Sequence, residues 1–313
     1  MADILSILPQ QLVFGLALGA VYGLIALGYS MVYGVLSMIN FAHGEVFMIG
    51  AYIGLAVLSA LLGAGMGGLG PLLLLPMLLL PAMLLTGGLG VAIERIAYRP
   101  LYARGASRLA PLISAVGVSI VLQNAVMLVE GARMKVYPTH LLFPGSWRFS
   151  FLGVNISVLT LVILGTAIML MGALIVLVQR TGLGRAIRAV AEDRETASLM
   201  GIQVGRTVSL TFFLGSALGG AAGVLIGLYY TQIDFMMGYS AGLKAFTAAV
   251  LGGIGNIRGA MLGGLVLGVI ESLASTFINP AFKDVITFGV LILTLMLKPE
   301  GLFGARLPDR DKI

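Results

Sequence analysis

The sequence is poor in the residues that carry most enzyme chemistry. Its 313 residues include no cysteine, so neither a disulfide nor thiol chemistry contributes to the fold or the function. The two histidines, His43 and His140, are too few for a Ser-His-Asp triad or a histidine-rich metal site. No G-x-x-x-x-G-K-[ST] sequence occurs, so the usual cradle for a nucleotide phosphate is missing. We therefore expect no catalytic site, no metal and no cofactor in this chain.

Charge is also scarce, and apolar residues take its place. Charged residues make up 10 % of the chain and hydrophobic residues 59 %, whereas soluble domains carry about a quarter charged residues. The mean hydropathy is +1.05. The formal charge of +6 comes from basic residues in short segments between apolar runs, which is typical of cytoplasmic loops and argues against nucleic-acid binding. The first eleven residues have no basic region, so no cleavable signal peptide is expected.

The apolar runs predict an all-α polytopic membrane protein with one transmembrane domain over residues 1–313. Each run approaches the roughly 20 residues that cross a bilayer, which gives about eight to ten helices with a best value of nine. Nine crossings place the N-terminus outside and the C-terminus inside. The short segment at about 242–254 either crosses the membrane or stops partway, and this decides whether the number of crossings is odd or even. Residues 94–108 are predicted as a basic cytoplasmic loop and residues 130–155 as an external loop.

Glycine recurs every fourth residue in two of the predicted spans. The first set is Gly15, Gly19 and Gly23, and the second runs from Gly215 to Gly227. Small residues at this spacing let the backbone of a neighbouring helix approach closely. We expect both spans to lie inside the bundle.

The largest polar segment, which we call the island, covers residues 180–206. Its apolar residues at i, i+3 and i+4 spacing predict a short amphipathic helix, and a second short helix is predicted from about Glu195 to Met200. Gly201 is suited to the left-handed conformation that ends a helix. Two interpretations stay open: a solvated loop whose arginines fix the orientation, or a rigid platform that binds a cytoplasmic partner.

Three polar residues interrupt the second apolar run, namely Asn40, His43 and Glu45 around Gly44. They mark either a tight turn between spans or a broken helix that lines a cavity. Because ionisable groups near a membrane are candidates for function, His43 and Glu45 could serve metal binding or a proton relay beside the pathway. The structural alternative is that they cap and hydrogen-bond a helix break.

Lys244 and Glu271 are the charged residues well inside the last three apolar segments. If the chain turns near Asn256, they lie about 18 and 22 Å from the turn on antiparallel helices, because a helix rises about 1.5 Å per residue. We predict a buried or pathway-facing ion pair, with snorkelling of Lys244 and a separate hydrogen bond for Glu271 as the alternative. Gly252 and Gly253, near the same turn, are predicted to permit tight packing beside the pathway.

Three motifs together resemble one family. INFAHGEVFMIGAY (39–52), RAVAEDRETASLMGI (188–202) and LKAFTAAVLGGIGNIRGAMLGG (243–264) are similar to the LivH-type permease subunits of bacterial ABC importers for branched-chain amino acids. The resemblance covers almost the whole chain, and the motifs occur in the same order.

The resemblance implies an importer in the bacterial inner membrane, in contact with lipid. Its implied partners are a second related permease, two cytoplasmic ATPases and an external substrate-binding protein. Importers of this class carry a coupling helix with the sequence pattern E-A-A-x-x-x-G. Glu195, Ala197 and Gly201 match this pattern, and Thr196 departs from it at the second position. The implied coupling set is completed by residues of the preceding helix: Arg185, Arg188, Ala189 and Glu192.

Other substrates and function classes remain open on the sequence alone. Related permeases move urea, amides or other amino acids. A secondary transporter needs intramembrane charges for ion coupling, of which this chain has few. A channel needs a repeated ring of pore residues. The island argues against both of these classes.

Overall fold

The structure, a computed structural model, describes residues 2–66, 70–107, 109–143, 147–151 and 154–304. It is predominantly α-helical, as predicted. The helices are α1 (Ala2–Leu36), α2 (His43–Gly63), α3 (Pro71–Ile93), α4 (Arg99–Ala103), α5 (Leu109–Glu130), α6 (Val158–Arg180), α7 (Gly182–Glu192), α8 (Arg194–Leu199), α9 (Val204–Tyr230), α10 (Met237–Gly252), α11 (Ile257–Phe277) and α12 (Lys283–Leu297). Short strands β1 (Lys135–Val136) and β4 (Gln232–Ile233) pair antiparallel, and β2 (Arg148–Phe151) pairs with β3 (Val154–Ser157).

Among the described residues, eight helices are long and apolar enough to cross a membrane. The remaining candidate is α10, which has 16 residues. It is therefore about 24 Å long, against about 30 Å for the hydrocarbon core of a bilayer. The predicted range of eight to ten spans holds, and α10 is the segment on which the exact number depends.

Two helices form the centre of the bundle, and both carry the glycine patterns. On α1, a Cβ added at Gly19 would lie 2.7 Å from the Gly264 carbonyl oxygen and 2.8 Å from Leu265 Cα. A Cβ on Gly15 would come within 2.8 Å of Val269 Cα. The backbones of α1 and α11 therefore touch through the glycine face, which confirms the predicted close approach. On α9, most residues from Gly215 onward are buried in the same way.

The predicted loop at 94–108 is wrong for its first ten residues, because the chain stays helical to Ala103. Residues Glu94–Tyr98 form a π-helical turn between α3 and α4. This turn brings the Glu94 carboxylate, which is fully buried, onto the Arg99 guanidinium with nitrogen–oxygen distances of 3.0 and 2.9 Å. The Ser209 hydroxyl on α9 donates to the same carboxylate at 2.8 Å. The buried charge is thus paired, and the helix can continue.

The chain order divides the bundle into two faces. α6 leads into the island and α9 leaves it, so the island lies at one end of both helices. At the opposite ends, β3 precedes α6 and β4 follows α9. The two small sheets therefore lie on the face opposite the island.

Candidate transport and coupling sites

The island folds into two short helices, each with a side-chain cap. The Thr181 hydroxyl accepts a hydrogen bond from the Gly184 amide at 3.1 Å at the start of α7. One carboxylate oxygen of Asp193 accepts from the Glu195 and Thr196 amides at 2.8 and 3.2 Å at the start of α8. Such caps satisfy amides that the first helical turn leaves without partners. The platform therefore has a defined geometry of its own.

An arginine ties this platform to the centre of the bundle. The Arg194 guanidinium donates through Nε and Nη2 to the carbonyl oxygen of Val35, at the end of α1, at 3.0 and 2.5 Å. Burial lowers the pKa of this guanidinium, and the two hydrogen bonds offset the cost of removing it from water. Arg188 likewise donates to the Val178 carbonyl of α6. A movement of α8 is thereby linked to α1.

The predicted coupling residues divide between the two sides of the platform. Those exposed to solvent are Arg185, Arg188, Glu192, Glu195 and Gly201. Ala189 is half-buried, and Ala197 faces the bundle with 3 % of its surface exposed. Gly201 has φ of +82°, in the left-handed region, so it ends α8 as its residue type suggests.

Two apolar residues of the platform were missed at the sequence level. Leu199 is 84 % exposed and Met200 is 79 % exposed, at the C-terminal end of α8 next to Gly201. Two large apolar side chains on an exposed helix end form a small apolar patch. The apolar character of these two residues does not indicate exposure in the sequence, because buried residues of a helix are apolar as well.

The polar break between α1 and α2 is buried inside the bundle. Residues 37–42 form the turn between α1 and α2, and α2 begins at His43. The Tyr98 hydroxyl donates to Asn40 Oδ1 at 2.7 Å. The His43 ring packs edge-on to the Tyr29 ring with centroids 4.9 Å apart and lies against Gly28 and Gly219. Asn40 is thus hydrogen-bonded across the break, whereas both ring nitrogens of the buried His43 have no hydrogen-bond partner among the described residues.

Glu45 has a different environment, because its carboxylate lies at a cavity of about 350 Å³. One oxygen accepts a hydrogen bond from the Ser119 hydroxyl at 3.2 Å. Gly44, its neighbour, packs closely against Gly238 and Gly242 of α10. The cavity wall comes from α1, α2, α5, α10 and the break: Tyr29, Phe41, Glu45, Val116, Ser119, Ile120, Gln123, Gly238, Tyr239, Gly242 and Leu243. The break is thus a turn between two candidate spans, and Phe41 and Glu45 border the cavity.

Gly252 and Gly253 lie at the turn between α10 and α11. Gly253 has φ of +101°, and a Cβ there would lie 2.6 Å from the Gly304 amide nitrogen. The C-terminal segment reaches this turn, because the Leu302 amide donates to the Leu251 carbonyl at 2.8 Å. These glycines permit close packing at the turn, and neither lines the Glu45 cavity.

The structure brings Lys244 and Glu271 together. Lys244 Nζ lies 2.6 Å from Glu271 Oε1, and the two side chains are 8 % and 3 % exposed. A third group was missed: Asp284 Oδ1 on α12 lies 2.8 Å from the same nitrogen, with 54 % of its side chain exposed. Lys244 also lines a cavity of about 380 Å³ that includes Asp234 and Tyr239. Lys244, Glu271 and Asp284 therefore form a three-residue charge network, of which Lys244 lines this cavity.

A bundle of long apolar helices with a buried polar break and a capped polar platform at one end is typical of a multi-pass membrane protein. Residues 11–295 match the family model described as "Branched-chain amino acid transport system / permease component". The chain belongs to this family, and it is a multi-pass protein of the inner membrane. The family to which the three motifs point is thus confirmed.

Curated relatives agree over nearly the full length. The chain is 48 % identical over 307 residues to the high-affinity branched-chain amino acid transport system permease protein BraD of Pseudomonas aeruginosa, covering 97 % of each chain. It is 45 % identical over 307 residues to the permease protein LivH of Escherichia coli, again with 97 % of each covered. A partial match, 30 % over 142 residues and 39 % of each chain, is to the probable branched-chain amino acid transport permease protein LivM of Methanocaldococcus jannaschii. No solved structure matches significantly.

Proposed function

We propose that this chain is the permease subunit of an ATP-driven importer for branched-chain amino acids, forming one transmembrane domain. Its partners in this proposal are a second related permease, two cytoplasmic ATPases and an external binding protein. Family membership and full-length relatives named for this transport support the substrate. The partial likeness to LivM supports a paralogous second permease.

The platform of α7 and α8 is the single observation that carries the coupling role. It exposes Glu195, Leu199 and Met200 at one face of the bundle, while Arg194 fixes it to the end of α1. A platform that is free on one side and anchored on the other can transmit the closure of an ATPase to the central helix. Transport requires such a link, because helix rearrangement must follow ATP hydrolysis in another subunit.

Coupling is tested by a bulky residue at the end of α8. Gly201→Trp places an indole where a partner would contact Leu199 and Met200, so ATPase association and leucine uptake should both be lost. Gly131→Trp is the matched control, since Gly131 also has positive φ, +85°, with no atom within 4 Å of an added Cβ. It lies on the opposite face and should keep ATPase association. Normal leucine-stimulated ATP hydrolysis in the Gly201→Trp complex would refute the coupling role.

The proposed orientation places the island and residues 94–108 in the cytoplasm and residues 130–155 outside. Because the chain has no cysteine, single cysteines report the side directly. Phe149→Cys and Met200→Cys are suitable, with native side chains 60 % and 79 % exposed. An impermeant thiol reagent outside intact cells should label position 149 and spare position 200, and the opposite result would reverse the topology. Position 146, chosen from the sequence for the same purpose, lies outside the described residues.

A further inference from the structure

Helix α5 is a candidate span that this subunit leaves almost uncovered. Of its 22 residues, Pro111 and Ala115 are the buried ones. The helix packs against α2 and against the π-helical turn. Exposed residues follow one another along it at intervals of three and four, and they form what we call the outer face of α5: Ile113, Gly117, Ile120, Asn124 and Leu128. Residues at this spacing share one side of a helix, so the outer face meets either lipid or another protein.

The outer face carries an amide at a depth where lipid offers no partner. Asn124 lies about 22 Å from the Leu109 end of α5 and about 9 Å from its Glu130 end, because a helix rises about 1.5 Å per residue. The Asn124 Nδ2 donates to the Ile120 carbonyl of the same helix at 2.7 Å. The amide oxygen has no hydrogen-bond partner among the described residues. Hydrocarbon cannot donate a hydrogen bond, so contact with lipid would leave this oxygen unsatisfied.

A second amide lies next to the first, at a groove between α5 and α10. Gln123 lines the Glu45 cavity together with Ile120 of α5 and Tyr239 of α10. The side chains of Ile120 and Tyr239 are 55 % and 60 % exposed, so the groove is open at its rim. Within the described part of the chain, the Gln123 carboxamide has no hydrogen-bond partner. Two neighbouring amides of one span are therefore left without a partner on another helix.

Helix α12 is also little covered, but its exposed residues have a different character. From Val285 to Leu297, the exposed side chains are all apolar. The two threonines in this stretch, Thr287 and Thr294, are buried. Such a face is typical of contact with lipid tails. The amides of α5 depart from this pattern, so lipid alone does not account for the outer face of α5.

We propose that the outer face of α5, with the groove beside Gln123, binds a transmembrane helix of the second permease subunit. The proposal rests on the proposed function, which includes such a subunit, and it assigns the contact a surface in this chain. Asn and Gln side chains hydrogen-bond across packed membrane helices, so a partner helix supplies what lipid lacks. A Cβ added at Gly117 would meet no atom within 4 Å, so a partner backbone can approach the outer face closely there.

Photo-crosslinking in the membrane identifies what covers α5. Val121, which is 65 % exposed beside the outer face, is replaced by p-benzoylphenylalanine. The cells also express an affinity-tagged second permease, the ATPases and the binding protein. Ile292 of α12, which is 57 % exposed, is the matched position. Illumination should join this chain to the tagged permease from position 121 and give no such product from position 292.

Two substitutions distinguish an interface from a lipid-facing surface. Asn124→Leu makes the outer face more apolar, which favours contact with lipid. At an interface, the same change should lower co-purification of the tagged permease about threefold to tenfold, as expected for one hydrogen bond between membrane helices.

Gly117→Phe fills the space for the partner helix and should lower both co-purification and the crosslink from position 121. Gly289→Phe on α12, where an added Cβ also meets no atom within 4 Å, is the control and should leave both unchanged. Membrane-inserted yield is measured for every variant, so that a folding defect is recognised.

Three outcomes overturn the surface: no protein product from position 121, a product with a second copy of this chain, or unchanged co-purification in both Asn124→Leu and Gly117→Phe. Leucine uptake and co-purification of the complex with the photoreactive residue are measured in parallel with the wild type. Normal uptake and co-purification without the crosslink refute only the surface on α5. A wild-type complex from which no second permease co-purifies refutes the assembly in the proposed function.

Discussion

The network of Lys244, Glu271 and Asp284 predicts unequal effects for its two buried members. Replacing Lys244 by Met leaves Glu271, with 3 % of its side chain exposed, as a carboxylate without its cation. Removing one partner of a buried pair costs about 3–5 kcal/mol. Replacing Glu271 by Gln leaves Lys244 with Asp284 at 2.8 Å, so the surviving charge keeps a partner. We expect this second change to cost about 1–2 kcal/mol, as for a weakened hydrogen bond to a charged group.

The double variant shows whether Lys244 and Glu271 interact as an ion pair or whether their replacements cause two independent defects. With both charges gone, no uncompensated carboxylate is left, so Lys244→Met with Glu271→Gln should be less destabilised than Lys244→Met alone. The destabilisation of the double variant should therefore be smaller than the sum of the single effects by at least about 1–2 kcal/mol. Asp284→Asn is the control: its side chain is 54 % exposed, and exposed pairs contribute only about 0–1 kcal/mol.

The assay is the folded fraction of the detergent-purified subunit after heating, read by size-exclusion chromatography, together with membrane-inserted yield. The expected order of loss is Lys244→Met, then the double variant and Glu271→Gln, then Asp284→Asn. Additive losses would refute the ion pair. A larger loss for Glu271→Gln than for Lys244→Met would refute the compensating role of Asp284.

Two further changes test the central packing and the anchor of the platform. Gly19→Ala forces α1 away from α11 and should destabilise the subunit by about 1–3 kcal/mol in the same assay. The control Gly165→Ala has open space around the added Cβ and should be neutral. Equal effects of the two changes would contradict the close contact between α1 and α11. Arg194→Met removes the hydrogen bonds to the end of α1 and should reduce uptake more than ATPase association, and unchanged uptake would show that the anchor does not transmit motion.

The sequence predicted the elements that depend on regular helical geometry. The heights of Lys244 and Glu271 followed from the rise per residue and the position of one turn, and the structure places their charged atoms 2.6 Å apart. The glycine face of α1 followed from four-residue spacing in the same way. Asp284 was missed because it reaches Lys244 from the first turn of another helix, after an irregular segment with no helical register to extrapolate.

Irregular geometry explains the wrong prediction after residue 93. Glu94 and Arg99 are five residues apart, and in an α-helix residues at that spacing do not share a face. The π-helical turn at Glu94–Tyr98 changes the register, so the two side chains meet and the helix continues. The sequence shows a cluster of charges, which is typical of a loop. The π turn, together with the hydroxyl groups of Ser209 and Tyr102 on the Glu94 carboxylate, makes the segment acceptable as a helix.

The polar break shows where sequence reasoning stops and tertiary contacts take over. Asn40, His43 and Glu45 form one group along the chain, but the structure gives them separate partners. Asn40 accepts from Tyr98, and the His43 ring packs on Tyr29, so both have structural contacts within the bundle. Glu45 differs because the Ser119 hydroxyl of α5 donates to one oxygen, while the other oxygen is buried against Gly238 of α10 without a hydrogen-bond partner among the described residues. These helices lie far from Glu45 in the sequence, so no local spacing distinguishes a capping residue from a ligand-binding one. The surroundings of these three side chains are set by contacts between helices, and those contacts depend on the tertiary packing rather than on the local sequence.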